Sequence, residues 1–200
     1  MNYFSLFSPL FAGFLLLVAS DSTPVLRSLI PIETYAQLKS GDLIFRQGSD
    51  TASAVVLAGK TKSIYSHVGM IVIKNKAALV IHAVPAETKN EVGGVKLESV
   101  DLFTRSDRAV HVAIMRPQYN VGENAAKKAL TYIGKPFDAA FNLQDDSALY
   151  CTELVARSYL PFNINLYKKL QIVRLPFFNG QFLLPQDIFE QTQLIKVWIG

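Results

Sequence analysis

The chain has 200 residues, half of them hydrophobic and 18% charged, which supplies enough apolar side chains for one globular domain with a core. The sparse charge and an aromatic fraction of 11% exclude intrinsic disorder, and the 20 Lys and Arg against 16 Asp and Glu form no dense basic run that would suit a nucleic acid. The single cysteine excludes a disulfide framework and a Cys-rich zinc site.

The N-terminal segment is apolar. Residues 1–20 contain no charged side chain and end in small residues that suit a signal-peptidase site. Pro9 and Gly13 interrupt the segment and make it a poor membrane-spanning helix. We therefore expect residues 1–20 to be a signal peptide or an N-terminal membrane anchor, with a buried helix as the remaining alternative. Residues 21–200 are expected to form a single domain, exported to the periplasm or the cell envelope.

Short apolar segments bounded by turn residues predict the elements that follow. Strands are predicted at 43–46, 65–73, 77–84, 110–115 and 194–199, with a loop or ragged hairpin at 87–99. Helices are predicted at 54–58, 123–133 and 148–159. Because the strands come in a run with helices before and after them, the order favours an α+β fold over alternating βαβ units.

Cys151 lies at the start of the helix predicted at 148–159. The first turn of a helix presents unpaired N–H groups and a partial positive charge, which stabilise a thiolate and can later bind an oxyanion. A lone cysteine is otherwise a small core hydrophobe, so this position alone does not establish a nucleophile.

Two histidines lie on neighbouring predicted strands. If the hairpin is symmetric about the bond between Asn75 and Lys76, Gly69 lies opposite His82. The side chains of His67 and His82 then emerge on the same face as diagonal neighbours, about 7–8 Å apart at the backbone. Such a pair can supply the base for a thiol nucleophile and the group that orients this base.

Other interpretations of these residues remain. His67 and His82 can be ordinary satisfied histidines, or they can form a zinc site with Cys151. His111, on a separate predicted strand, is expected to be structural or exposed. Asp42 is expected to cap its own turn, and Glu153 is not assigned a catalytic role.

Six short segments resemble those of a known family. They are 41–45 (GDLIF), 65–70 (YSHVGM), 80–83 (VIHA), 134–138 (GKPFD), 150–155 (YCTELV) and 184–188 (LPQDI). In this order they resemble the permuted papain-like, NlpC/P60-type cysteine hydrolases of the YiiX/YebB-like group. The resemblance implies a circularly permuted papain-like α+β fold, in which an antiparallel sheet with the histidine strands packs on the helix that carries the cysteine.

The same resemblance implies roles for three residues. Cys151 would be the nucleophile, His67 the general base, and His82 the third polar residue that orients His67. The third position is often an acid in relatives, and a histidine is found there in the lecithin-retinol-acyltransferase-like branch, which leaves the substrate class more open. No metal or organic cofactor is implied.

The implied reaction is acyl transfer through a Cys151 acyl-enzyme. The expected substrate is an amide in a peptide, a peptidoglycan stem or a lipid-linked molecule, with membrane association through the N-terminus and no nucleic-acid partner. The alternatives are a thiol acyltransferase or lipase that acts on lipid esters, and a catalytically inactive binding module. The aromatic tail, including Phe177, Phe178 and Phe182, belongs to the core or walls a groove for the acyl group.

Overall fold

The computed structural model describes residues 26–86, 91–168, 170–175 and 178–200. The segment 1–20, expected to be a signal peptide or anchor, lies outside these residues. Among the helices in the described ranges, none is long and apolar enough to cross a bilayer.

Eight strands and six helices are found in the described residues. The strands are β1 (Leu43–Gly48), β2 (His67–Lys74), β3 (Ala77–Val84), β4 (Gly94–Ser99), β5 (Ala109–Pro117), β6 (Gln171–Leu175), β7 (Phe178–Phe182) and β8 (Leu194–Ile199). The helices are α1 (Ile32–Tyr35), α2 (Thr51–Ala58), α3 (Val100–Phe103), α4 (Gly122–Leu130), α5 (Cys151–Tyr159) and α6 (Pro185–Phe189), and a 3-10 turn follows α5 at Leu160–Phe162.

Six of the strands form one antiparallel sheet in the order β4-β3-β2-β1-β5-β8, and β6 pairs with β7 in a separate hairpin. The α+β class predicted from the element order is therefore confirmed. The predicted strands and helices are all present, with shifts of a few residues at their ends.

Both faces of the large sheet are covered. On the face that we call the α5 face, Val68 and Met70 of β2 pack with Leu154 of α5. On the opposite face, which we call the α3 face, Ile71 of β2 packs with Phe103 of α3. Because successive side chains of a strand point to opposite faces, odd-numbered residues at the start of β2 lie on the α3 face.

The turn before β1 fixes α4 and α5 to the sheet. Gly41 has a φ of +93°, and a Cβ atom at this residue would lie 2.2 Å from the Cα of Gly122, the first residue of α4. Only glycine fits this close approach of two backbones. Tyr159 of α5 donates its hydroxyl to the carbonyl of Gly41, so both helices meet at this turn.

The helix with the cysteine begins at Cys151 rather than at residue 148. Tyr150 is the N-cap, in an extended conformation with φ −101° and ψ 171°, and Leu149 forms a β-bridge to Phe137. Before the helix, Asp145 accepts a hydrogen bond from the backbone N–H of Ser147. Cys151 is consequently the first helical residue, where its N–H has no partner within the helix.

The second difference is β4, in a segment predicted as a loop or ragged hairpin. Val95 and Leu97 pack in the core of the α5 face. The alternation of β4 therefore places Lys96 and Glu98 on the α3 face. The polar residues and the Gly-Gly pair obscured a strand that is stabilised by pairing with β3.

Candidate active site

The β2–β3 hairpin brings the two predicted histidines together. Its register pairs Met70 with Ile81 and continues to the turn, as predicted. His67 Nε2 lies 2.9 Å from His82 Nδ1, so the prediction that both imidazoles share one face is confirmed. Phe103 supports both rings, stacked on His67 with a centroid distance of 5.6 Å and edge-on to His82 at 5.3 Å.

Both imidazoles are held in the neutral form. His82 is completely buried and His67 is only 9% exposed. Burial is the main reason that the pKa of each ring lies well below its ordinary value, and the positive charges of Arg46, Arg108 and Lys96 lower the pKa further. Each ring therefore has one N–H donor and one nitrogen acceptor at neutral pH.

A carboxylate that the sequence analysis missed lies behind His82. Glu98 Oε1 is 3.3 Å from His82 Nε2, and Glu98 Oε2 is 3.0 Å from Arg108 Nη1. The sequence signal for Glu98 is the alternation of side chains along β4, which places this carboxylate on the α3 face, where both histidines lie. The side chain of Glu98 is only 6% exposed, so the carboxylate is shielded from bulk water.

The thiol of Cys151 lies beside the peptide bond that joins His67 to Val68. The backbone N–H groups of Val68, Thr152 and Cys151 itself lie near the sulfur, and together with Arg46 they lower its pKa. Burial of the sulfur outweighs them and raises the pKa to about 11. The amides at the helix start therefore favour the thiolate, as expected, but desolvation opposes the charged form more strongly.

The thiol and the imidazoles reach the same strand from different sides. Helix α5 packs on the α5 face of β2, whereas His67 and His82 point to the α3 face. The thiol meets the first residues of β2 through the Val68 amide. Among the described residues, the sulfur makes no direct hydrogen bond to either ring in this resting arrangement.

A small apolar cleft opens beside Cys151. Its cavity volume is only about 20 Å³, and its walls include Val56, Phe141, Tyr150 and Phe182. The ring of Phe141 lies 5.1 Å from that of Tyr150 and 5.6 Å from that of Phe182. Phe182 thus belongs both to a small core cluster and to the cleft wall. Of the other aromatic residues predicted for this role, Phe177 and the side chain of Phe178 lie outside what the structure describes.

A larger cleft lies near Asp42 and Arg116, and its lining does not include the three predicted catalytic residues. Asp42 accepts the backbone N–H of Lys39 and pairs with Arg116 through both carboxylate oxygens, at 2.6 and 2.7 Å. The predicted turn-capping role of Asp42 is confirmed.

Glu153 and Asp138 support the segment around the cysteine helix. Glu153 is buried and pairs with Arg157 at 2.6 Å, and burial raises the pKa of its carboxyl to about 7. Asp138 accepts hydrogen bonds from the backbone N–H groups of Ala140 and Asn142, and so holds the loop before α5.

Three comparisons with known proteins bear on this site. The model of the family described as "Permuted papain-like amidase enzyme, YaeF/YiiX, C92 family" matches residues 37–198. The uncharacterized protein YiiX of Escherichia coli K12 is 31% identical over 141 residues, which cover 68% of this chain and 64% of that protein. The chain thus spans less than two thirds of this relative's length.

A solved structure described as that of the metalloprotein YiiX from Escherichia coli O157:H7 covers 82% of this chain and 98% of its own, with a TM-score of 0.65 and 24% identity. The similarity in fold confirms the predicted permuted papain-like architecture, in which the histidine strands precede the cysteine helix. The chain therefore belongs to the permuted papain-like amidase family of YaeF and YiiX.

Proposed function

We propose that this protein is a cysteine-dependent amidase in which Cys151 is the nucleophile, His67 the general base and His82 the residue that orients His67. The contact between His67 Nε2 and His82 Nδ1, beside the strand start that the thiol reaches, carries this proposal. The membership in an amidase family supports the hydrolase class.

The resting charges define the first chemical step. Burial disfavours the charged forms of all three groups, raising the pKa of Cys151 and lowering the pKa of His67 and of His82. The proposed reaction therefore starts from a neutral thiol and a neutral imidazole. Because His67 Nε2 is engaged by His82, His67 Nδ1 is the nitrogen left to accept a proton. Transfer of the Sγ proton to His67 Nδ1 accompanies attack of the sulfur on the carbonyl carbon.

The remaining steps return each group to its starting state. The carbonyl π electrons move to oxygen, and the backbone N–H groups at the start of α5 stabilise the oxyanion. The tetrahedral intermediate collapses, the C–N bond breaks, and His67 gives its proton to the leaving amine. A water molecule then gives a proton to His67 and attacks the thioester, and the departing thiolate of Cys151 recovers the proton from His67.

The cleft beside Cys151 favours an apolar group next to the scissile carbonyl, because its walls are mostly aromatic and aliphatic. We propose as substrate an amide in a peptide, a peptidoglycan stem or a lipid-linked molecule. An exported location at the cell envelope, with residues 1–20 as signal or anchor, would bring the enzyme to such substrates.

A thiol acyltransferase or lipase is the second candidate. Two observations favour it, namely histidine rather than an acid at position 82 and the apolar cleft at the nucleophile. Both candidates use the same acyl-enzyme and differ in the leaving group, which is an amine in the first and an alcohol in the second.

The similar YiiX structure is described as that of a metalloprotein, so the residues of this site were compared with the needs of a metal ion. In the part of the chain that the structure describes, no three His, Cys, Asp or Glu side chains form a group that could hold a metal ion. Nδ1 of His82 already faces His67, and Nε2 faces Glu98. The described residues do not fit a metal site, and no step of the proposed reaction uses a metal ion.

The test is a substrate panel with matched variants. Soluble peptidoglycan fragments, N-acyl amino-acid amides and phospholipid vesicles are each incubated with wild type, Cys151→Ala, His67→Ala and His111→Ala, and the products are analysed by mass spectrometry. We expect cleavage that is lost in the first two variants and kept in His111→Ala, because His111 is exposed on β5. Cleavage of vesicles alone would favour the lipase, and cleavage that survives Cys151→Ala would overturn both candidates.

A further inference from the structure

The row of polar side chains on the α3 face continues past His82. In the β3–β4 register Val80 lies opposite Glu98 and His82 lies opposite Lys96. Glu98 is therefore a diagonal neighbour of His82 on the same face, within reach of its ring. The carboxylate lies between two nitrogen atoms, with Oε1 at 3.3 Å from His82 Nε2 and Oε2 at 3.0 Å from Arg108 Nη1.

The buried atoms of this row have few choices of partner. In the described part of the chain, His82 Nε2 and Glu98 Oε1 are buried and form no hydrogen bond, and they lie 3.3 Å from each other. A guanidinium can only donate and a carboxylate can only accept. Arg108 therefore fixes Glu98 as an acceptor, and the acceptor at Oε1 favours the proton of His82 on Nε2.

The tautomer of His82 then determines the tautomer of His67. A neutral imidazole with its proton on Nε2 has a lone pair on Nδ1. His82 Nδ1 must accept from its neighbour at 2.9 Å, so His67 carries its proton on Nε2. The lone pair of His67 is left on Nδ1, the nitrogen that the thiol proton needs. Burial keeps both rings neutral at neutral pH, which is the condition for this order.

We propose that Glu98, held by Arg108, is a positioning residue that selects the Nε2–H tautomer of both His82 and His67, and so leaves His67 Nδ1 free to act as the base. The catalytic part of this inference rests on the proposed function, whereas the tautomers are a property of the resting protein. In this chain position 82 is a histidine rather than an acid, and Glu98 on the neighbouring strand β4 supplies the carboxylate.

A glutamine at position 98 tests the acceptor requirement with little change in shape. Its amide has one acceptor oxygen, whereas Arg108 and His82 each need one. If Arg108 takes the oxygen, the amide N–H donates to His82 Nε2, the proton of His82 moves to Nδ1, and the proton of His67 moves to Nδ1 in turn. The double variant Glu98→Gln/Arg108→Gln frees the oxygen of residue 98 for His82 and restores the original order.

The first measurement needs no variant. Long-range ¹H–¹⁵N spectra of the full-length protein, labelled with ¹⁵N-histidine, distinguish protonated from unprotonated ring nitrogens. The chain has three histidines, and His111 serves as an exposed internal reference. We expect N–H protons on Nε2 of His67 and His82 at neutral pH. A proton on Nδ1 of either ring, or a charged ring, would overturn the proposal, even if every variant failed to fold.

The second measurement links the tautomers to activity. We expect Glu98→Gln to move the protons to Nδ1 and to reduce turnover by about 10²-fold or more, the range for loss of a general base. The double variant is expected to recover the wild-type spectrum and most of the turnover. Unchanged tautomers in folded Glu98→Gln would contradict the inference. Wild-type tautomers as expected, in a protein that hydrolyses no substrate, would overturn the proposed function and leave the positioning role standing.

Discussion

His67 and His82 approach within 2.9 Å on the α3 face, while Cys151 reaches the same strand from the α5 face through the Val68 amide. The base and its orienting partner are thus part of the sheet, and the nucleophile is part of the helix packed on the other side. The proposed proton transfer takes place at the start of β2, because His67 and the thiol of Cys151 both lie at this part of the strand.

The first prediction concerns His82. In His82→Ala, the ring of His67 loses its partner at Nε2, and Glu98 Oε1 loses the imidazole that lies 3.3 Å away. We expect turnover to fall by about 10²-fold or more because the base is no longer oriented. The free energy of unfolding, measured by urea denaturation, should fall by about 1–3 kcal/mol from the unsatisfied polar groups.

His111→Ala is the matched control for that variant, because it removes an exposed imidazole from another strand of the same sheet. Both quantities should stay close to wild type. Equal turnover in His82→Ala and His111→Ala would contradict the role of His82.

The second prediction concerns Gly69, a residue of β2 on the side of β3. A Cβ atom at this residue would come within 2.4 Å of Val80 Cγ1, 3.1 Å of the Ile81 carbonyl and 3.3 Å of His82 Cβ. We expect Gly69→Ala to lower the free energy of unfolding by about 1–3 kcal/mol, as overpacking does, and to lower turnover by displacing His82. Denaturation curves and kinetics on the same samples measure both effects.

A double-mutant cycle locates the clash. Val80→Ala removes the closest atom, so the double variant Gly69→Ala/Val80→Ala should be more stable than the sum of the single changes predicts. Strict additivity would show that the added methyl group does not meet Val80.

The third prediction concerns the pH dependence of stability through Glu153. Burial raises the pKa of this carboxyl to about 7 in the folded protein, against about 4.3 in an unfolded chain. Between these values the folded state binds the extra proton, so the contribution of Glu153 to stability falls as the pH rises from about 4 to about 7. His67 and His82, whose pKa values are lowered, change stability in the opposite direction below their ordinary pKa.

The effect of Glu153 is therefore measured as a difference between wild type and Glu153→Gln. Arg157, Asp138 and the Tyr150 amide, which face this carboxyl, remain in the variant. We expect the variant to become more stable relative to wild type as the pH is raised through this window. A difference that is constant from pH 4 to 7 would show that the carboxyl titrates normally.

The fourth prediction concerns the resting thiol. Since burial raises the pKa of Cys151 to about 11, its alkylation rate by iodoacetamide should continue to rise above pH 9. In the denatured chain the rate should level off after the ordinary thiol pKa of about 8.5. The chain has one cysteine, so the label reports this thiol alone. A plateau reached near neutral pH would reveal a thiolate in the resting protein instead.

The histidine pair could be predicted because its geometry is local. Asn75 and Lys76 both have positive φ, +50° and +65°, as a two-residue hairpin turn with the twist of the strands requires. A turn of fixed length sets the register, and the register places His67 and His82 on one face. The cysteine at the start of a helix was likewise predictable from local periodicity.

Glu98 and the state of the thiol could not be predicted in this way. The position of Glu98 depends on the pairing of β4 with β3, and that pairing outweighs the polar, glycine-containing character of the segment. The pKa of Cys151 depends on how deeply β2 and the rest of the core bury its sulfur. Neither pairing across the sheet nor burial can be derived from the sequence around one residue.

The most direct test of the central claim is the turnover of p-nitrophenyl acetate by the full-length protein, with intact-mass analysis of quenched samples. We expect steady p-nitrophenol release with an acetyl group on Cys151. His67→Ala should lose about 10²–10⁴-fold in turnover, and Cys151→Ala should fall to background. Turnover that persists in Cys151→Ala, or that is equal in His67→Ala and wild type, would contradict the assignment of nucleophile and base.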